Sequence, residues 1–172
     1  MNIKLLVLDV DGTLTDGAII HGNQGIELKA FNAKDGGMLK ALPSLGIEVV
    51  FLTGRTSEAV STRAREMRAT AVQGIDDKLP VLTKLLEERG LGYENCAYVG
   101  DDLNDYEAMA KCGFRACPAD AAREIRDICD YVSGKDGGQG AVRDACEALL
   151  ERAGRYGDFL AFYRAPAAPS GC

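Results

Sequence analysis

The sequence predicts an α/β domain: a mostly parallel sheet with helices on both faces and a β-hairpin inserted after the first strand. Three observations lead there. Short apolar runs alternate with amphipathic stretches along most of the chain, as repeated strand–crossover units require. Polar residues gather where several runs end, which is where open parallel sheets bind ligands. One segment, Gly17 to Asn32, breaks the alternation.

The first run, Ile3 to Leu8, is apolar on both of its alternating faces, as a strand buried on both sides must be. The interruption follows at once. Its arms, Ala18 to Ile20 and Ile26 to Phe31, are rich in β-branched residues, and Gly22 to Gly25 can turn the chain between them. Later strands are expected at Glu48 to Leu52, Ala71 to Gln73, Ala97 to Val99, Phe114 to Cys117 and Tyr131 to Ser133. Helical spacing marks Gly36 to Leu45, Ser57 to Met67, Lys78 to Arg89, Leu103 to Lys111, Ala121 to Ile128 and Ala141 to Arg152. Residues 1–155 read as a single domain without a separate cap. Residues 156–172, ending in "RAPAAPSGC", read as a partly disordered tail.

The composition suits one globular domain: 172 residues, 47 % hydrophobic and 27 % charged. The net charge of −6 argues against a nucleic-acid partner, which calls for a basic face. The six cysteines form no Cys-x-x-Cys pair and only His21 could join them, which argues against zinc and for free thiols in a reducing compartment. His21 falls in the hairpin turn and is expected to face solvent. The apolar start is too short to span a bilayer and has no secretory pattern, so the expected location is cytoplasmic, without a membrane partner.

The polar strand ends carry the chemistry. "DVDGT" supplies Asp9 and Asp11, "VVFLTGR" supplies Thr53, "DDKLP" supplies Lys78, and "AYVGDDLND" supplies Asp101, Asp102 and Asp105. Each fragment alone has a bland reading as a cap, a turn or a solvated charge. In this order and together they describe one site. Several carboxylates in one crevice repel unless a cation joins them. Without usable His or Cys ligands, that cation is a hard, oxygen-bound one, Mg²⁺. Mg²⁺ commonly bridges carboxylates to a phosphate, and Lys78 and Thr53 add a positive charge and a hydroxyl for phosphate oxygens. Asp9 can then attack phosphorus, and Asp11 can protonate the leaving alcohol and later deprotonate water.

These motifs resemble the haloacid dehalogenase superfamily of phosphohydrolases, over Asp9 to Asp105. The resemblance implies that Asp9 is the nucleophile and Asp11 the acid–base group, with Thr53 and Lys78 on the transferring phosphoryl group. It implies Mg²⁺ on the Asp9 carboxylate, the Asp11 carbonyl and Asp101, supported by Asp102 and Asp105. A narrower likeness covers residues 5 to about 150. "GIELKAFNAKDG", "QGIDDKL" and "GGQGAVRDACE" are similar to the 3-deoxy-D-manno-octulosonate 8-phosphate phosphatases, small capless enzymes that form tetramers. This likeness implies a phosphorylated keto-acid sugar as substrate, a homotetramer, and substrate contacts at Asn32, Ala33, Lys34, Asp35, Gly36, Lys40, Arg55, Arg63, Lys78 and Asn104, besides Asp11. Lys34 and Lys40 stand where arginine is usual, and lysine lacks the two-pronged grip of arginine. The alternative is a nonulosonate 9-phosphate phosphatase, or a related phosphatase-like domain attached to a sugar-activating cytidylyltransferase. Relatives of that kind carry an acidic residue at position 55 and lysine at 66, whereas Arg55 and Glu66 stand here. A phosphoacceptor receiver domain would place its acidic pair first, not last. "GKDGGQG", Gly134 to Gly140, reads either as a flexible link or as a segment that closes a neighbouring subunit's site.

Overall fold

The computed structural model describes residues 1–23 and 26–164. A six-stranded, fully parallel sheet forms from β1 (Leu5–Leu8), β4 (Glu48–Leu52), β5 (Thr70–Val72), β6 (Cys96–Val99), β7 (Phe114–Cys117) and β8 (Tyr131–Val132). Their spatial order is β5-β4-β1-β6-β7-β8. The α/β fold class is as expected, with a small antiparallel hairpin of β2 (Ile20–His21) and β3 (Glu27–Leu28) after β1. Gln24 and Gly25, inside the expected turn, lie outside the described residues.

β1 shows why the sheet needs helices on both sides. Leu6 and Leu8 enter one core with Phe51 and Ala97, whereas Leu5 and Val7 enter the other with Leu52 and Tyr98. The first core is covered by α1 (Ala33–Ala41), α2 (Glu58–Met67) and α6 (Ala141–Arg152), through Met38, Ala64 and Leu149. The second is covered by α3 (Lys78–Glu87), α4 (Tyr106–Met109) and α5 (Arg123–Ile128), through Leu82, Met109 and Ile125. The helix expected from Gly36 starts three residues earlier because Asn32 caps it, accepting from the Lys34 N–H at 2.9 Å. It passes into a 3₁₀ turn at Leu42–Leu45, where Pro43 removes an N–H.

The expected tail requires a correction. Residues Tyr156–Arg164 form a further helix, α7. Phe159 is 1 % exposed in the first core, Arg143 lies over its ring at 4.9 Å, and Tyr163 donates from its hydroxyl to the Gly37 carbonyl. The ordered chain therefore runs past Arg155. Residues 165–172 lie outside the described residues. Among the described residues, no helix is long and apolar enough to cross a membrane.

Candidate active site

β1 lies between β4 and β6, so the chain crosses over in opposite directions on either side of it. That makes the carboxyl end of β1 the switch point where a crevice opens. Asp9 sits there, 5 % exposed, its N–H donated to the Val99 carbonyl at 3.0 Å. Thr53 follows β4 and Asp101 follows β6, one on each flank. Thr53 is buried, with its N–H on the Val72 carbonyl and its Oγ1 accepting from the Arg55 N–H at 3.4 Å. Asp77 caps α3 by accepting from the Leu79 N–H at 3.2 Å, which starts the helix at Lys78. The Lys78 ammonium reaches the crevice and donates to Asp9 Oδ1 at 2.5 Å and to Asp105 Oδ1 at 2.7 Å.

Asp105 is an anchor. Its Oδ1 also accepts from the Tyr98 hydroxyl at 2.8 Å, and its Oδ2 accepts from the Asp101 N–H at 3.2 Å. Burial pushes the Tyr98 phenol far above its ordinary pKa, so it remains a donor. Asp102 is exposed and caps the following 3₁₀ turn through the Leu103 N–H at 2.8 Å. Both residues thus support the site, and Asn104 lies exposed on the same turn.

Strand alternation does not place Asp11, because β1 ends at Leu8. A turn places it. Gly12 takes a φ of +93°, and a Cβ there would lie 2.0 Å from Asp101 Oδ2, so glycine alone lets the two loops meet. Thr13, fully buried, locks the contact by donating to Asp101 Oδ1 at 2.8 Å. Gly137 backs the turn from behind: a Cβ there would lie 1.8 Å from the Gly12 carbonyl oxygen. The Gly138 N–H donates to the Thr13 carbonyl at 3.2 Å. The glycine-rich segment therefore packs on its own catalytic loop.

Asp9, Asp101 and Asp105 each offer a carboxylate oxygen, all within 4.8 Å of one another. Burial raises the Asp9 pKa well above the usual carboxylate range, Asp105 and Asp101 add to it, and Lys78 opposes it. Asp101 is pushed up to about 6, chiefly by burial, against its hydrogen bond from Thr13. Burial also works against the Lys78 ammonium, but Asp105 and Asp9 outweigh it and hold its pKa above the ordinary value. Two partly unpaired buried carboxylates, with hard oxygen donors only, fit a divalent cation such as Mg²⁺. Asp105, already holding Lys78 and Tyr98, is the least free of the three.

The expected sugar contacts divide into two groups. Arg55 stands at the rim, its Nε 4.0 Å from Asp11 Oδ2, with its guanidinium on Glu27. Asn32 caps α1 and reaches the Gly138 carbonyl at 3.3 Å, with Ala33 and Lys34 exposed beside it. Arg63 is held over Gly36: it donates to the Asn32 carbonyl at 3.1 Å, pairs with Glu66 at 3.0 Å and lies 5.6 Å over the Phe31 ring. Asp35 and Lys40 stand apart from these contacts in this subunit. Asp35 is 1 % exposed and accepts from the Arg143 N–H at 2.7 Å. It caps α6, whose own N-cap, Gly140, has no side chain to do so. Lys40 lies near the far end of α1, in a surface recess with Glu66, Arg68 and Tyr163, away from the crevice.

The sequence reading missed Lys29, Glu27, Tyr98 and Thr13. Only Thr13 had a local signal, in Asp-Gly-Thr. Lys29 donates to Asp11 Oδ1, and the other three are tied to Arg55, Asp105 and Asp101.

A buried carboxylate at the end of the central strand, a lysine bridging it to an acidic loop, and a flanking threonine match the haloacid dehalogenase class of phosphoryl-transfer proteins. The chain matches the haloacid dehalogenase-like hydrolase family over residues 72–144. It is 44 % identical over 155 residues to the 3-deoxy-D-manno-octulosonate 8-phosphate phosphatase of Escherichia coli, covering 90 % of this chain and 82 % of that one. The Yersinia pestis enzyme of the same name is 42 % identical over 150 residues, covering 87 % and 80 %. A crystal structure of the Moraxella catarrhalis phosphatase, in complex with magnesium, phosphate and KDO, superposes with a TM-score of 0.89 at 41 % identity, covering 94 % and 93 %. The chain belongs to the haloacid dehalogenase-like hydrolases, in the family of the 3-deoxy-D-manno-octulosonate 8-phosphate phosphatases.

Proposed function

We propose that this protein is a Mg²⁺-dependent phosphatase that hydrolyses 3-deoxy-D-manno-octulosonate 8-phosphate to KDO and phosphate. One observation carries the reading: Asp9, Thr53, Lys78 and Asp101 meet at the switch point of the sheet in a chain 44 % identical to phosphatases of that name. Asp9 attacks phosphorus while Asp11 gives a proton to the sugar oxygen. Asp11 then takes a proton from the water that releases phosphate from Asp9. Lys78 stays fixed by Asp105 and holds the Asp9 oxygen in place. The Asp9 and Asp101 carboxylates with the Asp11 carbonyl would hold Mg²⁺, which would neutralise charge on the phosphoryl oxygens. Arg55, Asn32 and Arg63 form the sugar side, with Asn104 and Lys34 at its rim.

The assembly belongs to the same reading. Ile19, Ile20, Ile26 and Leu28 on the hairpin are 50 %, 48 %, 55 % and 54 % exposed. Such an apolar cluster suits burial against other copies, and a homotetramer built through the hairpins supplies it. The free thiols of Cys96, Cys112, Cys117, Cys129 and Cys146 suit a cytoplasmic location.

The test is phosphate release from eight- and nine-carbon keto-acid sugar phosphates and hexose phosphates, with Mg²⁺ and after chelation. The eight-carbon substrate should be preferred, chelation should stop release, and Asp9→Asn should abolish it because an amide is not a competent nucleophile. Turnover by Asp9→Asn, or a preference for nine carbons, would overturn the corresponding part of the reading.

A further inference from the structure

Lys29 is an unusual use of a hairpin residue. Its neighbour Leu28 points to solvent, yet the Lys29 side chain is only 1 % exposed and donates to Asp11 Oδ1. A lysine is seldom buried unless it is paired. Its second partner is Glu27 Oε1 at 3.2 Å, and Glu27 Oε2 in turn accepts from Arg55. The ammonium is therefore held between two carboxylates, and the arrangement ties the hairpin to the loop after β4. The other Asp11 oxygen, Oδ2, is buried and has no hydrogen-bond partner among the described residues. Arg55 Nε lies 4.0 Å from it.

We propose that Lys29 is a positioning residue for phosphoryl transfer: by gripping Asp11 Oδ1 it turns Oδ2 toward the leaving-group oxygen. This rests on the reading of Asp11 as the acid–base group of a phosphatase. A free carboxyl rotates and offers either oxygen, whereas a general acid acts only within hydrogen-bond reach of the atom it protonates. In the first step, the Asp9–phosphorus bond forms, the phosphorus–sugar oxygen bond breaks, and the Oδ2 proton passes to the sugar oxygen. In the second, water attacks phosphorus, its proton returns to Oδ2, and the Asp9–phosphorus bond breaks. Lys29 exchanges no proton in either step. The hairpin thus has an inward task at the catalytic carboxyl group, separate from its outward apolar face.

The test compares two leaving groups. A sugar alkoxide needs a proton as it departs, and 2,4-dinitrophenolate does not. Full-length Lys29→Met, with Mg²⁺, should lose about a hundredfold in kcat/KM on 3-deoxy-D-manno-octulosonate 8-phosphate, the range of lost general acid catalysis, and about threefold or less on 2,4-dinitrophenyl phosphate. Lys29→Arg should recover about tenfold on the sugar phosphate, because the cation is restored. Equal losses on both substrates, or no loss, would overturn the proposal. If Lys29→Met does not fold by circular dichroism, Lys29→Gln decides. It should lose about tenfold on the sugar phosphate alone, and an equal or absent loss would again overturn the clamp. Wild-type protein that released phosphate from neither substrate would instead overturn the phosphatase reading itself.

Discussion

Lys78→Met removes the charge at the centre of the crevice while keeping most of the buried stem. Lys78 is 1 % exposed, and its partners Asp9 and Asp105 are 7 % and 0 % exposed. Without the ammonium, two carboxylates whose oxygens lie within 4.8 Å of each other face one another unpaired. At an effective dielectric of about 20 their repulsion is roughly 3–4 kcal/mol, in line with the roughly 3–5 kcal/mol typical of breaking a buried ion pair on one side. We expect a loss of about that size in urea unfolding at pH 8 with chelator. The loss should shrink toward pH 5. Burial already raises the Asp9 pKa in the folded chain, and loss of Lys78 raises it further. A carboxyl that binds its proton more tightly when folded adds stability below its unfolded pKa, and loses it as pH climbs through the folded one. Saturating Mg²⁺ should recover part of the loss at pH 8, since it binds the same oxygens. The assay is urea unfolding of both proteins at equal concentration, at pH 5 and pH 8, with and without Mg²⁺. A loss below about 1 kcal/mol, or one identical at both pH values, would refute the electrostatic role given to Lys78.

Gly137→Ala should lower kcat by about tenfold or more while the fold persists, because its Cβ would displace the Gly12 carbonyl and with it Asp11; steady-state kinetics with circular dichroism checks it. Asp35→Asn should keep kcat/KM within about twofold, since the Asn oxygen can still accept from the Arg143 N–H. Its melting temperature should rise relative to wild type at high pH only. Burial raises the Asp35 pKa, so the ionised form is what folding disfavours; a tenfold loss in kcat/KM would make Asp35 a sugar contact after all. Ile20→Glu with Leu28→Glu, which face each other across the hairpin, should dissociate the proposed tetramer in light scattering. An unchanged mass would remove the hairpin from the interface.

The sheet was legible because its four inner strands are mostly buried on both faces. Glu48–Leu52 and Phe114–Cys117 begin and end where their apolar runs do. The catalytic strand ends were legible for the same reason: a carboxylate interrupting such a run has few structural excuses. Helix edges were less so. The α1 start depends on Asn32 capping, and Leu103–Lys111 breaks into a 3₁₀ turn and the single turn of α4. α7 was lost under the proline-rich ending, although Tyr156, Phe159 and Tyr163 recur at helical spacing. What Asp35 and Arg63 pack against was not legible, for a different reason. Their motif fits sugar binding, but what each touches, a helix terminus or a backbone carbonyl, depends on pairings far apart in the chain.

The same distinction explains how an acidic chain can hold an anionic substrate. Three cations at the crevice are already bound to carboxylates: Lys78 to Asp9 and Asp105, Lys29 to Asp11 and Glu27, Arg55 to Glu27. These charges cancel locally, and none is a free site for phosphate. Burial, and after it the neighbouring carboxylates, raise the Asp9 and Asp101 pKa values. A divalent ion held there would offset that acidic excess. The basic residues therefore serve geometry first, each fixing one carboxylate oxygen so that the other can act. A metal held by Asp9 and Asp101 would supply the local positive field for a phosphate, so the overall charge of −6 is no obstacle to the chemistry.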